Sequence, residues 1–397
     1  MKKLVALALG LCLLLGAAGC SDSSAPLPET TPPGTVHSEP AETTAPSAPA
    51  EEVTSDMHAL VMPTVREDIS AEDGTLIFTM SYPNFQVVLN DPALEERITG
   101  LLHERLNGIL SAAEEIHQSA ESDYASTDPE YWYAYSLDVS YTPTRLDQSV
   151  LSLFGNRSRY SGGAHPSWVT DSVTYHLQTG EVLELEDILV SGYSKEALCS
   201  LVLKSLKDKA DTLSHGYEEI ITDRFTLQEE QPSRWYFSRT GLCFHFPPYD
   251  IAPYSSGTII AEIPYQELQG LLREDLFPAP ASDAAGSMYA QAYTDQTFTC
   301  TAEVSLSSTA APVVLYSDAT VTDVRIETGS LLSDRSGFIS SGVVFMADAL
   351  DIGDAILLYA DLSDSQQLLR LVYRSGEHEV SSLITQDAAG NVVLSGS

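Results

Sequence analysis

From Leu76 to Leu394 the chain alternates apolar and polar side chains in short runs, broken repeatedly by Gly, Pro, Asn, Asp and Ser. A period of two is that of strands half-buried in sheets, and only two stretches switch to the helical period. The pattern restricts the fold to α+β, with mixed antiparallel sheets and two main helices. "YWYAYSLDVSYTP" sets Tyr131, Tyr133, Tyr135, Leu137, Val139 and Tyr141 on one strand face, and "SVLSLFGNRSRY" is its expected hairpin partner. In "WVTDSVTYHLQTGEVLELEDIL" the alternation resumes, with "QTGE" as a tight turn.

The first helix is "DPALEERITGLLHERLNGILSAAEEI", with Asp91 as N-cap and Pro92 in its first turn. Ile98, Leu101, Leu102, Leu106, Ile109 and Leu110 share one face, which leaves His103 and His117 to solvent. The second is "SKEALCSLVLKSLKDKADTL", capped by Ser194, with Leu198, Leu201, Val202 and Leu206 facing inward. A hairpin, "RWYFSRTGLCFHF", and a strand, "GTIIAEIPYQEL", complete this part. After "PAPASDAAGS" the sequence is strand-like nearly throughout, as in a small β-sandwich. The expected division is an N-terminal α+β domain over 57–160, a second α+β domain over 161–275, and a C-terminal β-sandwich-like domain over 286–397.

The N-terminus has the form of an export signal. Lys2 and Lys3 precede an apolar run of about sixteen residues, short of the ~20 that a membrane span needs. It ends in "AAGC", so residues 1–20 read as a lipoprotein signal with Cys20 as the lipidated residue. The expected location is extracytoplasmic, on a Gram-positive cell membrane held through lipid alone. Residues 21–56 cannot build a core. Between Ser21 and Ala50, 22 of 30 residues are Ser, Thr, Pro or Ala, too little apolar surface to offset ordering entropy. They read as a spacer.

Charge narrows the partners. The chain has 56 Asp and Glu against 20 Lys and Arg, a net charge of −36. Such a surface repels nucleic acids and anionic lipid and speeds encounter with cations. The expected partner on this ground is a cationic protein, and no nucleic acid.

Signatures of catalysis are missing. There is no GxSxG, HExxH, GxGxxG or phosphate loop, and no two of the nine histidines lie three or four apart. No catalytic residue, metal site or cofactor is expected. Cys199, Cys243 and Cys300 are widely spaced and odd in number, which argues against a disulfide framework. "DALDIGD" carries aspartates three apart, an acidic turn rather than a calcium loop.

The stretch that stands out is "YSGGAHPSW". Its glycines permit a tight turn or bulge, and His165 could do no more than cap it. Alternatively the turn presents Tyr160, Ser161, Gly162, Gly163, His165 and Trp168 as a binding loop, since aromatic residues anchor interfaces. A Ser161–His165–Asp171 hydrolase would need the turn to close about 13 Å of extended chain. "PPYDIAPYSSG" is either a structured crossover or a binding rim through Tyr249 and Tyr254.

Taken in order, Gly162-Gly163-Ala164-His165, the Leu177–Thr179–Gly180 turn with Leu185, Asp187 and Ile188, and "PYDIAPYSSG" with "IPY" resemble a known domain pair. It is the extracytoplasmic pair of unknown function found in the lysozyme-sensing anti-sigma factor RsiV and ahead of the catalytic domain of the peptidoglycan deacetylase PdaC. The resemblance covers roughly 70–272. It implies a wall-facing α+β module that binds a protein such as lysozyme, or glycan. The segment that contacts a sigma factor and the catalytic domain have no counterpart here, so neither activity carries over.

Overall fold

A computed structural model describes residues 56–226, 234–280, 283–294, 298, 300–334, 337–363 and 367–396. Cys20 and the spacer lie outside the described residues. The order begins β1 (Ala59–Val61), β2 (Thr64–Ser70), β3 (Leu76–Pro83), β4 (Gln86–Val88), α1 (Pro92–Leu110) and α2 (Ala113–Tyr124). It continues β5 (Tyr135–Leu146), β6 (Val150–Tyr160), β7 (Ser167–His176), β8 (Glu181–Val182), a single turn α3 (Leu185–Ile188), α4 (Lys195–Ser205) and α5 (Tyr217–Thr226). Next come β9 (Trp235–Phe237), β10 (Gly241–Phe246), β11 (Ile259–Pro264), β12 (Met288–Ala292), β13 (Ala302–Ser305) and β14 (Pro312–Ser317). The last strands are β15 (Val321–Leu331), β16 (Phe338–Leu350), β17 (Ala355–Tyr359), β18 (Leu368–Ser375), β19 (His378–Gln386) and β20 (Val392–Gly396).

Local chemistry explains the helices. Asp91 caps α1, its carboxylate accepting from the amides of Ala93 and Leu94, and Pro92 loses no bond in the first turn. Ile98, Leu102 and Leu106 are buried, while Ile109 and Leu110 pack at the core margin. The helix bends at Ser111-Ala112 and continues as α2, which buries Ile116 and Ala120. His117 is not on the solvent side as expected. It is half-buried, its ring stacked on Phe78 with centroids 5.9 Å apart. Ser194 caps α4 through the Ala197 amide, and the face of Leu198, Val202 and Leu206 is buried.

Six strands in the order β2-β3-β5-β6-β7-β8 form the sheet under α1 and α2. The alternation from Tyr135 to Tyr141 points into that core. It does not extend back to Tyr131 and Tyr133, because Asp128-Pro129 begins a 3-10 turn there and both tyrosines stand in solvent. The β11-β10-β9 sheet packs with α4 and α5 around a separate core that includes Trp235, Phe237 and Leu268. Arg145, buried at the end of β5, ties the two parts together. Its Nε lies 2.6 Å from Asp147, and its Nη1 donates to Tyr265 Oη and to the Leu276 carbonyl, each at 2.7 Å.

The C-terminal region is a β-sandwich of a four-stranded sheet, β12-β14-β17-β13, and a seven-stranded one, β20-β19-β18-β15-β16-β1-β4. The last two strands of the larger sheet come from the N-terminal region. Ala59 pairs with Ala347 on one side and with Val88 on the other. Met346 on β16 points out of the sandwich into the core under α1. The division at 286 is thus crossed by a shared sheet, and the one at 160/161 falls in the turn between β6 and β7. Side-chain contacts cross the same seam, His58 Nδ1 lying 2.9 Å from Asp348 and Arg239 pairing with Asp323 at 2.8 Å. No helix among the described residues is long and apolar enough to cross a membrane.

Cys199, Cys243 and Cys300 are free thiols. Burial, reinforced by Glu262, pushes the Cys243 thiol up to about 12. At pH 8 its thiolate is then on the order of one part in ten thousand, and the thiolate is the reactive form. Burial also raises Cys199 and Cys300. A form lacking residues 1–20 should therefore show no fast-reacting thiol toward a disulfide reagent at pH 8 and three after denaturation. A stoichiometric fast phase from the native protein would contradict this.

Candidate functional site

The β6–β7 hairpin ends in an exposed tip. Gly162 and Gly163 take φ of 86° and 97°, the left-handed region that side chains with a Cβ avoid, so the chain can reverse between Tyr160 and Ser167. Tyr160 Oη donates to the Gly163 carbonyl at 3.3 Å, and His165 Nδ1 to the Pro166 carbonyl at 3.0 Å. The latter is the kind of backbone contact that a capping His165 would make.

Strand geometry decides which side chains of β7 reach the site. Thr170, Ser172 and Thr174 share one face, turned toward β9 and β10. Thr170 Oγ1 and Ser172 Oγ each lie 3.1 Å from a ring nitrogen of His245, which is fully buried, and Ser172 donates to the Trp235 carbonyl at 2.6 Å. Trp168 is the next residue on that face, beyond the end of β10, where the crossover "PPYDIAPY" returns. Ile251 and Ala252 are buried in the third core, and Ser214 donates its amide to the Ile251 carbonyl at 2.8 Å. Asp250 pairs with Arg224 and Arg234. With these residues fixed, Tyr249 and Tyr254 turn outward on either side.

Four rings meet there. Tyr254 lies 4.6 Å from His165, 5.5 Å from Trp168 and 5.5 Å from Tyr249, centroid to centroid. Its hydroxyl approaches the Pro166 carbonyl at 3.4 Å, across 88 positions of sequence. Trp168 remains 40% exposed and Tyr249 71%. Tyr249 holds φ at 71°, which costs a non-glycine residue roughly 1–2 kcal/mol, so the backbone around it is over-determined. His165 and Trp168 of the expected loop and Tyr249 and Tyr254 of the expected rim thus lie together in space.

Tyr160 and Ser161 are not part of it. Tyr160 packs on the other flank against Tyr135, at the end of a ladder in which Tyr124, Trp132 and Tyr135 follow one another at 5.2 and 5.3 Å. Burial, then Asp123, raises the Tyr135 hydroxyl to about 12. It donates to that carboxylate at 2.6 Å, so it acts as a fixed strut. Asp171 faces the helices instead of His165. Arg105 holds it at 2.7 Å and Tyr141 at 3.1 Å, so Ser161, His165 and Asp171 do not converge. Among the described residues no group of three His, Cys, Asp or Glu side chains is gathered to hold a metal ion. In "DALDIGD", Asp348 serves His58, while Asp354 accepts from Thr301 and from the Asp351 amide.

Residues 69–168 match the family described as Deacetylase PdaC, and residues 186–266 match Protein of unknown function (DUF3298). Each of the two matches covers about a quarter of the chain or less. The four-ring patch lies where they meet, His165 and Trp168 coming from the PdaC-type stretch and Tyr249 and Tyr254 from the DUF3298 stretch. Junctions of this kind are favoured positions for ligand sites. Two crystal structures of DUF3298 family members are similar. One, from Bacteroides fragilis, is 20% identical with a TM-score of 0.40, over 54% of this chain and 94% of that one. The other, from Pseudomonas aeruginosa, is 18% identical with a TM-score of 0.38, over 56% and 97%. No curated protein matches the chain. The matches associate it with extracytoplasmic domains whose function is unknown.

Proposed function

We propose that the protein is a cell-surface lipoprotein, anchored through Cys20, that holds a cationic wall-active protein such as lysozyme and catalyses no reaction itself. The observation that carries the reading is the exposed meeting of His165, Trp168, Tyr249 and Tyr254. Aromatic side chains on a rigid support are the usual anchors of protein interfaces. The charge of −36 adds long-range attraction for a basic partner. Calorimetric titration with lysozyme over a salt series tests it. Binding is expected at low ionic strength and should weaken as the Debye length shrinks. Absence of binding at low salt defeats the reading.

A second reading is a glycan-binding or scaffolding subunit that positions a separate wall enzyme. The exposed faces of Trp168 and Tyr249 favour it, because flat rings stack on sugars. Retention on purified peptidoglycan that falls in Trp168→Ala, with no affinity for lysozyme, would select it.

A further inference from the structure

The hairpin tip has a second flank. Tyr131 and Tyr133 are 69% and 73% exposed, the two most open aromatic side chains on the described surface apart from Tyr249. Neither is loose at its base. Trp132 between them is anchored, its indole nitrogen donating to the Leu76 carbonyl at 3.0 Å and its ring packed between Tyr124 and Tyr135. Pro129 and the Asp128 cap fix the preceding turn. With Trp132 turned inward, its two neighbours are directed outward, roughly 7 Å apart along the chain.

Charge here is one-sided. From Glu121 to Asp138 there are five carboxylates and no Lys or Arg. Glu130, exposed beside Tyr131, has no ion pair among the described residues. The Trp168 flank differs, since Arg224 and Arg234 lie under its crossover. Open tyrosine faces next to the Glu130 carboxylate suit a guanidinium or ammonium group, which a ring attracts through its quadrupole and a carboxylate through its charge.

We infer that Tyr131, Tyr133 and Glu130 form a separate contact zone for arginine and lysine side chains of a cationic protein. The inference rests on the proposed function and locates its cationic contacts away from the four-ring patch. A basic partner then meets the protein on both flanks of the hairpin, ring anchors on one side and charge reception on the other.

The test uses the full chain in detergent, titrated at low salt with lysozyme and with an octa-arginine peptide. The variants are Tyr131→Ala/Tyr133→Ala and Glu130→Gln. The double variant should bind both probes about tenfold more weakly. Glu130→Gln should show a shallower salt dependence. The tryptophan band of the near-ultraviolet circular dichroism, to which Trp132 contributes, should be unchanged, which certifies the fold. Wild-type affinity for both probes in the double variant overturns the inference and leaves the proposed function standing. Tyrosine-dependent binding of the peptide without binding of lysozyme supports the zone and defeats the lysozyme reading. Failure of both probes with the wild type defeats both.

Discussion

Replacing Trp168 and Tyr254 together by alanine is expected to weaken binding of a cationic wall protein by at least about 30-fold, the effect of losing one anchor worth ~2 kcal/mol. Tyr254 is the centre of the patch, since His165, Trp168 and Tyr249 each pack on its ring. Its loss releases the three rings from one another, and the loss of Trp168 removes the largest contact surface. Tyr254→Phe should be nearly silent, because the hydroxyl contact to Pro166 is long. This contrast separates ring packing from hydrogen bonding. Both variants should unfold at close to the wild-type denaturant midpoint, as neither residue belongs to a core. A double variant that binds like wild type would remove the patch from the interface.

Arg145→Ala is expected to be the most damaging single substitution for stability, at about 3–5 kcal/mol. The guanidinium is buried, with Asp147, Tyr265 and the Leu276 carbonyl as partners and the rings of Phe237 and Tyr265 at 5.2 and 5.4 Å. Alanine would leave one oxygen of Asp147 and the Leu276 carbonyl without their donor and open a cavity between the two α+β parts. Arg145→Lys should recover only a fraction, since an ammonium cannot reproduce the planar fork. Urea unfolding followed by tryptophan fluorescence provides the measurement. A loss below about 1 kcal/mol in Arg145→Ala would mean that the two parts do not depend on this joint.

Local elements were legible because their causes are local. Asp91-Pro92 and Ser194 mark helix starts whatever surrounds them, and the period-two runs of β5, β6 and β7 need only one buried face. What the sequence did not reveal was set by distant contacts. His165 and Trp168 could be marked as one candidate and Tyr249 and Tyr254 as another. Their convergence depends on Ile251 being buried and on His245 registering β10 against β7. Tyr131 and Tyr133 continue the alternation of β5 and still lie outside the strand, because Pro129 and the Asp128 cap take precedence. Ala59–Val61 is too short for any periodicity to show, so its place beside β16 had no signal within its own residues.

That place has a mechanical consequence. A tug arriving from the residues ahead of the fold is delivered to Ala59–Val61, which is hydrogen-bonded to β16 on one side and β4 on the other. An outermost strand could be peeled away one bond at a time, but this one must shear along both neighbours together while Leu60 and Val61 leave two cores. Resistance to such force is governed by the unfolding barrier rather than by equilibrium stability. The protein should therefore withstand traction on its N-terminal side better than traction at β20, which among the described residues has a partner strand on one side only.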